Sequence, residues 1–289
     1  MVIDAHVHLY PLELNRDPVA WGATQAETHW SMLCTRRRRD GRGVQGFPGV
    51  DDLLRAMDAA GVARSVLLGW YWQWPETCAW HNRFQAECVQ AHPDRLSAFA
   101  TLHPAAGRDA TLAEVQRARE AGLSGLGELS PHAQGYDVGN PVFGEALELA
   151  AELHLPVNLH VTDHESGHYP GRVETPLRDF VWLARTFPRT NFILAHWGGR
   201  LPLHDEEAED LMNVFYDTAA SPLLYDATIW RQFLEIVPTE RVLFGSDYPL
   251  NLYPKLDAEP GLARLVAEAK ANGADAALLG GNAKRLLHL

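Results

Sequence analysis

Two histidines near the start of the chain, in the segment DAHVHLYP, are separated by one residue. A β-strand directs residues two apart to the same face, so a strand here would point His6 and His8, together with Asp4, to one side. The interior of a parallel barrel prefers branched aliphatic side chains, and polar groups buried there need hydrogen bonds or a cation. The spacing therefore indicates a metal site, and the alternative is a hydrogen-bonded pair of core histidines.

Three more residues of metal-ligating type end later apolar runs. His160 ends VNLH, His196 ends FILAH and Asp247 ends VLFGSD. Barrel enzymes gather catalytic groups from different strands at the carboxyl ends of those strands. Neutral imidazoles and a carboxylate match the preferences of Zn²⁺ with a water in an open position, and Fe²⁺ or Mn²⁺ also fit such ligands. The pattern predicts a divalent metal, with Zn²⁺ as the first expectation.

The elements that position these residues are short β-branched runs that alternate with segments of helical period. Eight runs are typical of strands, at residues 2–6, 65–68, 97–102, 123–129, 156–161, 191–196, 213–218 and 241–246. Helical spacing appears between them, for example at 52–60 and 177–187, and Gly61 and Gly122 stand where left-handed helix caps are expected. This order predicts an α/β fold, a (β/α)8 TIM barrel, in which residues 1–289 form one domain.

A long loop is predicted after the first strand, at residues 9–50, where a few residues are usual. Loops of this length in compact domains are generally functional lids or disordered insertions. This one contains four consecutive arginines, Arg36 to Arg39. Such a run is most often solvated or at a subunit contact, and the other interpretation is binding of a substrate carboxylate.

Composition limits the partners. A net charge of -12 disfavours nucleic acid, because phosphate binding depends on clustered Lys and Arg. No apolar run reaches the roughly 18 residues of a membrane span, and MVIDAHVHLY lacks the regions of a signal peptide. We expect a cytoplasmic protein that acts on a small molecule, with neither nucleic acid nor membrane as a partner. The sequence leaves open whether it forms a homo-oligomer.

Five segments, DAHVHLYP, LHVTDH, LAHWGG, FGSDYP and the terminal GGNAKRLL, resemble the amidohydrolase superfamily, in particular its amidohydrolase 2 branch. The resemblance implies a metal held by four ligands: His6, His8, His160 and Asp247. It also implies that His196 assists catalysis or binds a second ion, and that Asp247 accepts a proton from bound water. Members of this branch include hydrolases of cyclic amides and lactones, nonoxidative decarboxylases and a hydratase of aromatic or unsaturated acids.

One departure from the superfamily concerns the fourth strand. Binuclear members often carry a metal-bridging carboxylated lysine there, whereas the fourth run of this chain has no lysine. Glu128, in GLGELSP, occupies the corresponding strand end. A glutamate at this position either ligates or bridges a metal, or it orients a ligating histidine from outside the coordination sphere. Both interpretations stand, and the number of metal ions is left open.

Aromatic residues are concentrated near the same end of the predicted barrel. The segment GWYWQW follows the second strand, and Trp197 follows His196. Aromatic walls suit a planar or apolar substrate, and ordinary packing beneath the long loop is the alternative.

Polar residues on the later loops are weaker candidates. Arg200 could pair with a substrate carboxylate, although a surface salt bridge is the commoner role of an arginine. Asp163 and His164 lie on the loop of the fifth strand, where a contact with substrate or with a metal ligand is expected for His164. His168 and His132 are expected to be plain loop residues.

Hydrolysis of an amide, lactone or other ester-like bond is the main functional expectation. An ion would lower the pKa of bound water toward about 7, Asp247 would carry its proton, and His196 would stabilise the oxyanion. The alternative is a nonoxidative decarboxylase of an aromatic or unsaturated acid, with Asp247 or His196 as proton donor.

A noncatalytic metal-binding barrel should have lost a ligand, and none is missing. A metal nuclease is disfavoured by the charge. The substrate depends on loop shapes that sequence does not give.

Overall fold

The computed structural model describes residues 1–256 and 260–289. These residues form one sheet of eight parallel strands in sequence order. The strands are β1 Val2–Val7, β2 Val62–Leu67, β3 Leu96–Ala100, β4 Gly125–Leu129, β5 Val157–Leu159, β6 Phe192–Leu194, β7 Val214–Asp217 and β8 Val242–Leu243. The sheet closes on itself where Ala5 N donates to Phe244 O at 2.8 Å and Asp247 N donates to His6 O at 2.8 Å. The predicted TIM barrel is confirmed.

Helices follow the strands along the chain and cover the outer face of the sheet. They are α1 Leu12–Arg16, α2 Pro18–Gln25, α3 Thr28–Cys34, α4 Val50–Ala60, α5 Pro75–Ala91, α6 Arg108–Glu120, α7 Pro131–Gln134, α8 Pro141–Glu152, α9 Leu177–Thr186, α10 Ala195–Gly198, α11 Leu201–His204, α12 Ser221–Leu224, α13 Thr228–Leu234, α14 Leu262–Ala271 and α15 Asn282–Leu286. Over the part of the chain that the structure describes, none of them is both long and apolar enough to cross a membrane.

The predicted helices and their glycine stops are present. α4 and α9 agree with the expected segments to within two residues. The apolar positions of α4 bury Leu53 and Met57, and the helix contacts β2. Gly61 and Gly122 have φ of 68° and 83°, the left-handed backbone that glycine adopts without steric cost.

Several strands are shorter at their carboxyl ends than the sequence predicts. β5, β6 and β8 end before His160, His196 and Asp247 respectively. His196 and Asp247 have φ of 96° and 64°, a conformation that is uncommon for residues with a Cβ atom. Regular strand backbone therefore ends at or before the residues that carry the candidate chemistry.

The long connection after β1 contains α1, α2 and α3, so it is not a disordered insertion, and its role as a functional lid stays a prediction. Asp17 caps α2 by accepting a hydrogen bond from Ala20 N at 3.0 Å. Trp30 on α3 is fully buried and contacts Tyr10 edge to face, with ring centroids 5.6 Å apart. Burial of large aromatic side chains fixes this insertion against the barrel.

Candidate metal centre

Four imidazoles meet at the carboxyl end of the barrel. His6 Nε2 lies 3.1 Å from His8 Nε2, and His160 Nδ1 lies 3.2 Å from His196 Nε2. The two pairs are adjacent, because the rings of His6 and His196 have centroids 5.2 Å apart. The structure thus brings together the four histidines that the sequence singled out.

Glu128 stands between the two pairs of histidines. Its Oε1 lies 2.9 Å from His160 Nδ1 and 3.3 Å from His196 Nε2. Its Oε2 lies 3.4 Å from His8 Nε2 and 3.8 Å from His6 Nε2. Burial raises the pKa of the Glu128 carboxyl, but the charge of His160 and hydrogen bonds from the surrounding imidazoles lower it more, to well below its ordinary value. This carboxylate is ionised, and its contacts suit a ligand as well as an orienting partner.

Asp247 approaches the same cluster from the segment after β8. Its Oδ1 lies 3.6 Å from His8 Nε2 and 3.9 Å from His6 Nε2, and its Oδ2 lies 3.9 Å from His196 Nδ1. The donor atoms of His6, His8 and Asp247 all lie within 4.8 Å of one another, as do those of His6, Glu128 and His196. These spacings are short enough for one ion to touch each set.

The cluster favours positive charge. Burial lowers the pKa of His6, but Asp217, whose Oδ2 is 2.9 Å from His6 Nδ1, raises it, and with Glu128 and Asp247 the pKa reaches about 10. Ionised carboxylates buried together create a strong negative potential, which either protons or a metal cation can neutralise. The donor set and its charge therefore fit a divalent metal ion.

The cluster forms the floor of a cavity of about 420 Å³. One wall is aromatic, because the rings of Trp70 and Tyr71 stack with centroids 4.3 Å apart and an interplanar angle of 25°. Tyr71 also lies 5.0 Å from the ring of His160. Leu33 and Val44 contribute apolar lining from the insertion after β1. This volume and lining suit a small planar molecule.

Other tryptophans that were expected near the cavity pack elsewhere. Trp72 is buried and contacts Trp30 at 5.9 Å between ring centroids. Trp197 is buried against Trp230, at 4.8 Å. Trp74 is about half exposed. For Trp72 and Trp197 ordinary packing, the alternative interpretation, is the right one.

A family model describing amidohydrolases matches residues 3–289. The chain belongs to the amidohydrolase family. Among its relatives, decarboxylase orsB of Emericella nidulans is 27% identical over an alignment of 264 positions, which covers 73% of this chain and 79% of that protein. The resemblance inferred from sequence motifs is therefore confirmed over nearly the whole chain.

Two solved structures share the fold of this amidohydrolase. The 5-carboxyvanillate decarboxylase of Sphingomonas paucimobilis has a TM-score of 0.75 and 17% identity, covering 100% of this chain and 99% of that one. The 5-carboxyvanillate decarboxylase of Novosphingobium aromaticivorans, complexed with manganese and 4-hydroxy-3-methoxy-5-nitrobenzoic acid, has a TM-score of 0.75 and 14% identity, covering 100% and 96%. The members of the family and these relatives are enzymes, and this protein is an enzyme as well.

Asp217 is a residue of the candidate centre that the sequence analysis did not single out. It is fully buried at the end of β7, and besides its contact with His6 it accepts hydrogen bonds from Asn158 Nδ2 at 3.1 Å and His196 N at 3.2 Å. By engaging Nδ1 of His6, it leaves Nε2 of that ring facing the cluster. The sequence feature that could have identified Asp217 is an acidic residue near the end of the seventh predicted strand.

Asp4, which shares a face with the first two histidines, has hydrogen-bond partners that compensate its burial. It accepts from Ser246 N at 2.9 Å and from Ser246 Oγ at 2.5 Å. Burial raises its pKa to about 7 even so. Asp4 therefore ties β1 to the segment that carries Asp247.

The weaker candidates form the rim of the cavity or lie outside it. Arg200 pairs with Asp163 through two bonds of 2.5 and 2.9 Å and with Glu165 at 2.6 Å, so the expected salt bridge is confirmed. His164 is exposed, with its ring 4.7 Å from that of His204. His168 is also exposed. His132 Nε2 lies 3.0 Å from Asp179 Oδ2.

Proposed function

We propose that this protein is a divalent-metal-dependent, nonoxidative decarboxylase of a hydroxylated aromatic acid. The observation that carries the proposal is the cavity beside the stacked rings of Trp70 and Tyr71, whose floor is the cluster of imidazoles and carboxylates. A planar acid against these rings would place its anionic oxygens over the floor. Hydrolysis, the main expectation from the sequence, is supported less well, because the relatives described above are decarboxylases.

The metal would be held by the residues predicted from the sequence: His6, His8, His160 and Asp247, with Glu128 as a further ligand or as the group that orients His160. When bound, a divalent cation supplies positive charge that attracts the carboxylate and phenolate oxygens of a substrate. Zinc remains a prediction. Manganese in the related 5-carboxyvanillate decarboxylase makes Mn²⁺ the first ion to test.

The residues of the chain account for the proton. Asp247 and His196 are neighbours, with 3.9 Å between Oδ2 and Nδ1. Burial lowers the pKa of His196, but its hydrogen bond to Glu128 and the charges of Glu128 and Asp247 raise it above its ordinary value. The two side chains are thus placed as proton carriers, with Asp247 as the group that would deliver a proton to the ring carbon that carries the carboxylate.

The bonds balance in a simple way. A proton bonds to the ring carbon, the bond from that carbon to the carboxylate breaks, and its electron pair restores the aromatic ring as CO2 leaves. The net change replaces a carboxylate by hydrogen without consuming water. The apolar lining from Leu33 and Val44 favours the step, because a charged carboxylate is less stable than neutral CO2 in such surroundings.

The test uses protein stripped of metal and reloaded with Mn²⁺ or Zn²⁺. We expect metal-dependent release of CO2 from 2,6-dihydroxybenzoate, 5-carboxyvanillate or a related hydroxybenzoate, with one deuterium incorporated at the vacated carbon in D2O. Asp247→Asn, which keeps the shape but cannot carry the proton, should fold and give no turnover. Opening of a lactone such as dihydrocoumarin, with no CO2 from any hydroxybenzoate, would contradict the proposal and favour hydrolysis.

A further inference from the structure

A second group of metal-ligating side chains, the rim group, lies beside the cavity. It consists of His164 and Glu165, on the connection after β5, and His204, at the end of α11. All three are exposed, and one ligand atom of each lies within 4.8 Å of the others. Among the groups of this kind in residues 1–256 and 260–289, the rim group is the one that shares no residue with the floor.

The two histidines of the rim group converge from different elements. Their rings lie edge to face, with centroids 4.7 Å apart and an interplanar angle of 71°. Neither imidazole makes a hydrogen bond to another residue in the part of the chain that the structure describes. The ring nitrogens of His164 and His204 are therefore open to a ligand from solvent.

Glu165 has one oxygen fixed and the other directed toward these rings. Its Oε2 accepts from Arg200 Nη2 at 2.6 Å, whereas its Oε1 lies 3.8 Å from His164 Nε2. A separation of 3.8 Å is too long for a hydrogen bond. The hydrogen bond and charge of Arg200 lower the pKa of the Glu165 carboxyl below its ordinary value. The rim group thus contains an ionised, oriented oxygen that has no hydrogen bond to the neighbouring imidazole.

The charges around the rim group favour a cation. Arg200 is shared between two carboxylates, those of Asp163 and Glu165. Arg172, on the same connection, pairs with Glu174. Three carboxylates therefore face two guanidinium groups, and the excess negative charge lies beside the two histidines.

The donor set is the kind that Zn²⁺ prefers. Two imidazoles and one carboxylate, with water in the remaining position, make a tetrahedral zinc site, and a given set of such ligands binds Zn²⁺ more tightly than Mn²⁺. Zinc bonds of this type place ligand atoms about 3.3 Å apart, so the three side chains would have to approach one another by at most about 1.5 Å. Rotation of exposed side chains can provide that movement.

We propose that His164, Glu165 and His204 form a second metal site, which takes Zn²⁺ independently of the ion in the floor. The bound ion would connect the strand-end loop after β5 to α11. Because Glu165 also lines the cavity, an occupied site would hold that side chain in place at the mouth. With three protein ligands that are open to water, the site fills when free zinc is supplied and empties in zinc-free buffer.

The test dialyses protein without a histidine tag, first loaded with Mn²⁺, against micromolar free Zn²⁺ at pH 7.5. Elemental analysis then counts zinc and manganese together, so exchange of metal at the floor does not alter the result. We expect wild-type protein to hold one equivalent more than His164→Ala or His204→Ala. His168→Ala, which removes an exposed histidine from the same connection, should keep the full wild-type content.

Competition with a chromophoric chelator measures the affinity of the additional zinc, and Glu165→Gln should weaken it by at least about tenfold. Equal urea unfolding of the metal-free proteins verifies that the variants are folded. Equal total metal in wild type, His164→Ala and His204→Ala would overturn the proposal, as would a loss in His168→Ala as large as that in His204→Ala. Zinc affinity unchanged in Glu165→Gln would also contradict it, because the carboxylate would then not be a ligand.

Discussion

The floor and the wall of the cavity are built from different parts of the barrel. The floor consists of side chains at the ends of strands, such as His6 and Glu128, whose donor atoms lie within 4 Å of one another. The wall consists of side chains on the connections after β1, β2 and β5, such as Arg36, Tyr71 and Tyr169. The floor has a negative potential, while the wall offers aromatic rings and a cation.

This difference separates reactivity from selectivity. Strand ends hold groups in a fixed geometry because the closed sheet positions them, and loops vary without disturbing that geometry. We therefore expect substitutions in the floor to reduce metal binding and turnover for every substrate. Substitutions in the wall should change affinity for some ligands and leave the metal in place.

The largest effect is expected from Glu128→Gln in the floor. The change keeps the shape but removes the negative charge that faces the imidazoles, so metal should be lost and turnover should fall by at least about 1000-fold. Metal analysis and initial rates measure both. Full metal content with unchanged turnover would show that Glu128 is neither a ligand nor a partner of the ligands.

The next effect is a loss of about 3 kcal/mol in the free energy of unfolding as the pH falls. It is expected from His81, which contacts the beginning of the insertion after β1. His81 Nε2 donates to Leu9 O at 2.8 Å and its Nδ1 accepts from Trp72 Nε1 at 3.1 Å, so the ring is held neutral. Burial lowers its pKa from 6.5 to about 4. The stability that neutral His81 contributes is present above pH 6.5 and is lost as the pH falls toward 4, because only the unfolded chain gains a proton.

Urea unfolding of metal-free protein at pH 7 and pH 4.5 measures this loss. The His81→Gln variant should lose less stability between the two pH values than the wild type does. Equal losses in both proteins would mean that His81 does not couple the insertion to pH.

A smaller effect is expected from Asp217→Asn, which tests whether the floor depends on groups beneath it. Asp217 is a positioning residue for His6, and loss of such a partner typically weakens metal binding about 10- to 100-fold. Titration with Mn²⁺ measures the affinity, and the Asp217→Glu variant should recover part of it. An affinity within twofold of the wild type would show that His6 is positioned without Asp217.

The smallest effect on ligands is expected from Arg200→Gln, which removes a charge that the chain already neutralises. Its guanidinium is already paired, so affinity for 4-hydroxy-3-nitrobenzoate should change by less than about threefold, while unfolding free energy falls by about 1 kcal/mol. A tenfold loss of affinity would mean that Arg200 contacts the ligand in spite of its ion pairs.

The floor could be predicted from the sequence because its signals are local. The alternate spacing of His6 and His8 fixes a common face, and a polar residue after an apolar run marks a strand end. Asp217 has the second signal as well, but a single acid at a strand end does not reveal which histidine it contacts. The left-handed backbone at His196 and Asp247 was equally hidden, because neither residue is glycine.

The wall could not be predicted in this way. Arg36 and Arg39 are alike in their local sequence, and which one faces the cavity depends on Tyr169, on a distant loop. Trp70 and Trp72 likewise differ only in what packs against them, since one lines the cavity and the other is buried under α3. Such assignments depend on tertiary contacts between connections, for which a single sequence carries no periodic signal.

The central claim is that the strand-end cluster holds a divalent metal, and elemental analysis tests it most directly. Wild-type protein, His6→Ala and Asp247→Ala would be compared, with His132→Ala as a histidine control outside the cluster. We predict near-stoichiometric Mn²⁺ or Zn²⁺ in the wild type and the control, and its loss in the other two variants. Absence of metal from wild-type protein even after supplementation, or equal metal in all four proteins, would contradict the account.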